Sequence, residues 1–183
     1  MPPIFPVLQT ERLTLREIVP GDAEALFLIH SDANTMRWFG IDALTERSQA
    51  NQMAAMFAGW FLAGTGVRWG IVRNEDDTLI GTSGLFRWNK SWHNCMLGFE
   101  LSVAMQRHGY MREAVSAILD YGFSSMDLHR IQAESHADNV ASIGLLTRLG
   151  FRFEGVHRQQ ARWAGQFHDL NCYALLQQEW QKK

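Results

Sequence analysis

The stretch Glu100–Phe123, ELSVAMQRHGYMREAVSAILDYGF, decides how this chain is read. Its opening residues have the character of a strand. The turn Gln106–Met111 follows, and beyond it the apolar positions recur at helical spacing. A single glycine, Gly109, sits in that turn, so neither a Walker loop nor a dinucleotide fingerprint is present. The first turn of a helix leaves backbone N–H groups unpaired, and the helix dipole favours negative charge there. Gly109 lets a ligand come close to the backbone. Arg107 adds a cation and Gln106 adds amide donors. A diphosphate is the natural occupant of such a turn; an ordinary helix start with a solvated Arg107 is the competing reading.

Working outward, HRIQAESH (129–136) reads as a strand joined to the strand before Gly109 by a helical crossover, so the two should run parallel. On the N-terminal side, RWGIVR (68–73), TLIGTSGLFRW (78–88) and CMLGFELSV (95–103) are strands separated by the turns 74–77 and NKSWHN (89–94), an antiparallel meander. Further upstream a short strand covers 13–18. Asp22, after Pro20-Gly21, is placed to cap a helix with Ala25, Leu26, Ile29 and Met36 on its apolar side. A second helix fits 45–63, with Met53, Met56, Phe57 and Trp60 as its core stripe. Downstream, NVASIGLLTRLG (139–150) is a short helix capped by Asn139 and stopped by Gly150. The strands FRFEGVHRQQ (151–160) and FHDLNCYALL (167–176) follow, and the tail QQEWQKK is expected to fray. The order is strand, two helices, three strands, helix, strand, helix, two strands. It predicts an α/β (α+β) fold with a mixed, mostly antiparallel sheet of about seven strands and helices on both faces. Residues 1–183 are read as a single domain.

Composition excludes several classes. Seventeen Lys and Arg against nineteen Asp and Glu leave a net charge of −2, which gives no global attraction to nucleic acid. No apolar run approaches the roughly 18 residues of a membrane-spanning helix. No basic-then-apolar leader is seen, and the expected location is cytoplasmic. Cys95 and Cys172 fall in no metal-binding or framework spacing, and free thiols are the simplest reading, with a single bridge as the alternative. The histidines, His93 and His108 among them, show no metal-ligand spacing, so no metal is expected.

Several segments together resemble one family. QRHGYMREA (106–114) is similar to the pyrophosphate loop Q/R-x-x-G-x-G/A of the GNAT superfamily of N-acetyltransferases. TERLTLREIVPGDAEAL (10–26) resembles the opening strand and helix of the branch that holds the Rim-type ribosomal-protein N-terminal acetyltransferases. LGFELS (97–102) is similar to that branch's I-G-Y-x-L strand, and HRIQAESHADNVASIGLLTRLGF (129–151) to its R-I-x-A…N-x-A-S…L-G-F segment. The pieces come in the family's order and spacing. One departure is Met111, where the family usually has Gly or Ala.

The resemblance implies a GNAT fold with a central, splayed parallel pair, and acetyl-CoA as cosubstrate. Backbone N–H groups from Arg107 through His108, Gly109, Tyr110 and Met111 to Arg112 would hold the diphosphate, with Gln106 beside them. The strand Leu101–Val103 would pair with the pantetheine arm, and the acyl group would lie between the splayed strands. The acceptor implied is a primary amine, either a peptide N-terminus or a small amine such as a drug or polyamine. Family members are often homodimers.

Acetyl transfer from a thioester needs a neutral amine, a polarised carbonyl and a departing thiolate; proximity supplies much of the rate. Glu100, on the strand beside the acyl gap, is the expected base or amine-binding group; an ion pair with a neighbouring Arg or Lys is the alternative. Asn139 is expected to touch pantetheine or an ordered water while also capping its helix. The resemblance implies a tyrosine acid where this chain has Leu146, so either Ser142 protonates the departing sulfur or the thiolate leaves with solvent assistance alone; a small residue allowing close helix packing is the other reading of Ser142. His136 is a candidate second base or a strand-end histidine bonded to backbone. Tyr173 is given no role. Trp38, Trp60, Trp88 and Trp92 are candidate walls of the acceptor groove. Two other classes fit the same residues: an acyl-CoA-binding module without catalysis, favoured by Leu146, and a nucleotide-binding α/β protein.

Overall fold

Strand β1 (Leu8–Gln9) pairs with β2 (Leu13–Arg16) at one edge of the sheet in the computed structural model, which describes residues 3–180. Helices α1 (Ala23–Ser31), α2 (Ala33–Met36) and α3 (Arg47–Leu62) follow, then the meander β3 (Val67–Arg73), β4 (Thr78–Asn89) and β5 (Asn94–Leu101). Helix α4 (Tyr110–Ser124) crosses to β6 (Arg130–His136). Then come α5 (Val140–Arg148), the hairpin β7 (Arg152–Trp163) and β8 (Gln166–Leu176), and α6 (Gln177–Trp180). Among the described residues the strands form one eight-stranded sheet in the order β1-β2-β3-β4-β5-β6-β8-β7. Every neighbouring pair is antiparallel except β5 and β6. The expected mixed sheet is therefore present, with the two-residue β1 added to the seven strands legible in the sequence.

Two apolar clusters lie on opposite faces. Ala114, Val115, Ile118, Leu119 and Phe123 of α4 pack with Leu146 of α5 against Leu15, Trp69, Ile71, Leu85, Leu97 and Ile131. On the other face Leu26 and Ile29 of α1 and Ala50, Met53 and Phe57 of α3 close over Ile18, Val72 and Leu79. Alternation along each strand sends successive side chains to the two faces, so both must be covered by helices.

Some local expectations need correction. The Asp22 side chain makes no cap to α1; it turns back to accept from Arg16 at 2.7 and 2.9 Å and from the Val19 N–H at 2.8 Å. Met36 belongs to the separate turn α2, although it is buried as expected. In α3 the stripe is Met53, Phe57 and Trp60, while Met56 is 45% exposed. Strand β5 stops at Leu101, and Val103 opens a 3-10 turn, Val103–Met105. Residues Gln177–Trp180 do not fray: the Trp180 indole donates to Asp120 Oδ1 at 2.7 Å and packs against the main core. The last three residues of the expected fraying tail lie outside the described residues. Cys95 is buried and Cys172 half-buried, both free thiols as read.

Leu146 is fully buried in the α4–α5 face. Replacing it by Ala should cost about 2–5 kcal/mol through lost burial and the cavity left behind. The drop in urea midpoint would be compared with Leu28→Ala, a 60% exposed position expected to move stability by no more than about 0.5 kcal/mol.

Candidate active site

The parallel pair is short. β5 and β6 are partners only from Asn94↔Arg130 to Leu97↔Ala133. Beyond that, β5 stays bonded to β4 as far as Leu101↔Gly81, and β6 stays bonded to β8 as far as His136↔Leu170. Residues 98–101 and 134–136 thus face each other across an opening in mid-sheet, with main-chain groups not paired across it. The turn before α4 follows directly from the end of β5, and α5 begins just past the end of β6.

The α4 turn is built to present N–H groups. Gly109 is its N-cap at φ 83°, and Arg107 also takes a left-handed φ of 67°, a conformation that a residue with Cβ holds only when its surroundings impose it. The first bond into the helix runs from Glu113 N–H to the Gly109 carbonyl at 3.1 Å. The N–H groups of Tyr110, Met111 and Arg112 therefore have no acceptor within α4. Tyr110 and Met111 both lean on the apolar core, so the bulk at Met111 points away from the turn's open side.

A contact that sequence reading missed fixes this turn. Arg12, on the residue before β2, donates from Nη1 to the His108 carbonyl at 3.0 Å. Its Nε donates to Glu113 Oε2 at 2.7 Å, and its guanidinium lies 4.6 Å from the Tyr110 ring centre. Glu113 also accepts from Thr10 Oγ1 at 2.6 Å and the Arg12 N–H at 2.9 Å. Burial pushes the Glu113 carboxyl up, but these donors hold it below the usual range. Gln106 Nε2 donates one of its two N–H groups to the Leu101 carbonyl at 3.1 Å, which turns the side chain back toward the end of β5.

Glu100 lies in the opening stretch of β5, but its side chain is only 3% exposed. Arg68 Nη2 and the Thr82 hydroxyl both donate to it, and Arg68 Nε donates to Thr82 Oγ1 at 2.7 Å. His30 Nε2 stands 3.1 Å from Glu100 Oε1, close enough for an ion pair but off the line of a hydrogen bond. His30 Nδ1 faces the Leu26 carbonyl at 2.8 Å. Burial pushes the Glu100 carboxyl up, yet the Arg68 guanidinium, His30 and Thr82 together hold it below its ordinary value. Burial lowers Arg68, and the charge of Glu100 opposes that. The ion pair weighed against the base role is thus present.

Two glycines make the pair possible. Arg68, Gly84 and Gly98 are register partners across β3, β4 and β5. A Cβ on Gly84 would meet the Val67 carbonyl oxygen at 2.3 Å and Arg68 Cα at 2.7 Å; one on Gly98 would meet Arg68 Nη1 at 3.0 Å. The arginine lies along the space these residues leave.

At the far side of the opening, Asn139 caps α5, its Oδ1 accepting from the Ser142 N–H at 3.1 Å. Ser142 is 9% exposed in the first turn of α5. Leu146 faces the core, so no side chain at that place reaches the opening with an acidic proton. His136 Nδ1 accepts from the Asp138 N–H at 3.1 Å, the backbone-bonded alternative read from sequence. Its ring stacks on Trp38 at 4.5 Å and meets His168 and Trp163 edge-on at 5.4 and 6.0 Å. Arg37 lies over Trp38 at 4.6 Å. Of the four tryptophans expected as groove walls, Trp38 alone stands by the opening. Trp88 and the 74% exposed Trp92 sit around the β4–β5 turn, where β5 begins, about 23 Å from Leu101 at strand rise. Trp60 stacks on Phe86 near that same end. A cavity of about 350 Å³ lined by Phe61, Trp88, Lys90 and Tyr121 lies there too, away from the diverging strands.

Residues 12–152 match the family model described as the acetyltransferase (GNAT) domain. The chain belongs to the GNAT acetyltransferase family. It is 37% identical over 173 residues to an uncharacterized N-acetyltransferase of Bacillus subtilis, covering 94% of this chain and 98% of that one. It is also 30% identical over 118 residues, 64% of this chain and 61% of the other, to the [ribosomal protein uS5]-alanine N-acetyltransferase of Escherichia coli, in keeping with the branch the sequence resembles. Among solved structures, spermidine N-acetyltransferase from Vibrio cholerae in complex with CoA and spermine superposes with a TM-score of 0.82 at 20% identity, over 94% of this chain and 99% of that one. That likeness establishes the fold. The protein is an acetyl-CoA-dependent N-acetyltransferase, and GNAT enzymes take the acetyl group from that thioester.

Three outcomes follow for the buried pair. Glu100→Gln should destabilise by about 3–5 kcal/mol, because Arg68 is left buried without its counter-charge. A carboxylate whose pKa is depressed by folding stabilises above its unfolded value, about 4.3 for Glu, and that share is lost as pH falls. The wild type should therefore lose stability more steeply than Glu100→Gln below about pH 4, read from denaturant midpoints across pH. Gly98→Ala should cost about 1–3 kcal/mol by crowding Arg68.

Proposed function

We propose that the acceptor is the α-amine of a protein or peptide N-terminus, acetylated by direct attack on acetyl-CoA in a ternary complex. The observation that carries this reading is the state of Glu100. A carboxylate held below its ordinary pKa by Arg68, His30 and Thr82 is ionised throughout the neutral range and is a weak base. It suits an amine that is already partly neutral. An α-amine, near pKa 7.7–8.0, meets that condition; an alkyl amine near 10.4 does not. The entrance offers rings at Trp38, His136, Trp163 and His168, with Arg37 over Trp38 and the Asp138 carboxylate beside His136. The relatives include enzymes named for both acceptor types.

In this reading the N–H groups of Tyr110–Arg112 hold the diphosphate, with Arg107, His108 and Gly109 shaping the loop. The open main chain at 98–101 receives the pantetheine arm, with the Asn139 amide at its other side. Val103 lies past the strand and serves the loop. Glu100 takes the proton from the attacking amine, with the Thr82 hydroxyl next to it, and Ser142 or solvent supplies the proton to the sulfur. Acetyl transfer balances simply: the C–S bond breaks, the N–C bond forms, and the amine's proton leaves as the thiolate gains one.

A panel of peptides and small amines with acetyl-CoA, read by mass spectrometry, tests the acceptor. Peptides acetylated at their first residue with higher kcat/KM than spermidine support the proposal; the reverse order overturns it. For the wild type, kcat/KM for a peptide should rise with pH through the ionisation of its α-amine. Glu100→Gln, assayed where it remains folded, should lose about 10²-fold or more in kcat with KM for acetyl-CoA little changed. The role of the loop is tested by Arg12→Met. Loss of a charge-assisted hydrogen bond worth about 1.5–3 kcal/mol should raise KM for acetyl-CoA about tenfold or more. KM for acetyl-pantetheine, which has no diphosphate, should not change.

A further inference from the structure

We propose that Glu134, His157 and Cys172 form a binding site for one divalent transition-metal ion of the Zn²⁺ class. The acetyl-transfer reading above gives these side chains no role. They come from three different strands: Glu134 from β6, Cys172 directly opposite it on β8, and His157 from β7 beyond. Cross-strand partners in an antiparallel pair project to the same face, so the register sets carboxylate and thiol side by side. The register shift between Phe153 and Gly155 then carries His157 over them. One ligand atom from each residue lies within 4.8 Å of the other two. His157 Nδ1 is 3.1 Å from Glu134 Oε1.

The donor set is one oxygen, one nitrogen and one sulfur. Zn²⁺ accepts all three at about 2.0–2.3 Å in a tetrahedral arrangement, with solvent as a fourth ligand. Hard ions such as Mg²⁺ and Ca²⁺ prefer oxygen throughout. The side chains have room to close in, since Glu134 and His157 are 21% and 57% exposed. Access is from solvent. On metal binding the Cys172 thiol proton is released to solvent as the metal–sulfur bond forms.

The plain competing account is an ion pair between His157 and Glu134 with a thiol nearby, and the test separates the two without any activity assay. The full chain, treated with chelator and reductant and then dialysed, is titrated with Co²⁺. Binding at one ion per chain with a thiolate-to-cobalt charge-transfer band, reversed by Zn²⁺, is the expected result. Cys172→Ser should remove that band. His157→Ala, at an exposed position that leaves the fold intact, should weaken Co²⁺ binding about tenfold or more, since even an outer-shell contact is worth about that much. Zn²⁺ should raise the melting temperature of the wild type and not that of His157→Ala. No charge-transfer band in the wild type, or equal Co²⁺ affinity in all three proteins, overturns the site.

Discussion

The molecule is organised around two neighbouring strands that bond for four residues and then separate. Antiparallel partners hold each strand after the separation: β4 keeps β5 straight, and β8 keeps β6 with it. Because each strand is anchored on its outer side, the opening costs only the hydrogen bonds the two would have made to each other. The buried Arg68–Glu100 pair reinforces this. It stitches β3 to β5 across β4 on the helix α1–α3 face, over the two glycines that leave it room. A buried pair of this sort adds little net stability, but either half alone is strongly unfavourable. It therefore commits the strands to one register more than it adds to the total.

The chemistry that follows is modest in its demands. A thioester is already activated, so the protein needs to align two reactants, keep an amine uncharged and let a thiolate depart. In the proposed reading the α4 turn and its Arg12 brace serve alignment, and Glu100, held ionised by Arg68, His30 and Thr82, serves proton transfer. Leu146 fills the core at 0% exposure and brings no acidic proton to the opening.

Much of the fold was legible in the sequence. Period-2 and period-3.6 stretches separated by Pro20-Gly21, 74–77, 89–94 and Gly150 fixed most element positions, and the crossover through α4 fixed the one parallel pair. The α4 turn was legible for the same local reason: Gly109 and the helix start are contiguous. What was hidden depends on contacts between distant residues. Arg68 and Glu100 are 32 positions apart, and Arg12 and Glu113 are 101 apart; no local pattern links them. The tryptophans of the β4–β5 hairpin looked like groove walls until strand length showed that they sit at the wrong end. Gln106 looked wholly available to a ligand because nothing in its neighbours reveals that its amide reaches back to the Leu101 carbonyl. Glu134, His157 and Cys172 fit no metal motif because sheet register, not chain spacing, gathers them.

A sheet ordinarily has its edges at its two sides, where short strands, charges or bulges guard them. This one also carries a seam through its middle, at residues 98–101 and 134–136. Along it the two strands have no partner in each other, and the chain itself caps part of the gap, the Gln106 amide bonding the Leu101 carbonyl. The folded chain is therefore a sheet with an interior edge, held apart by the strands on its outer sides.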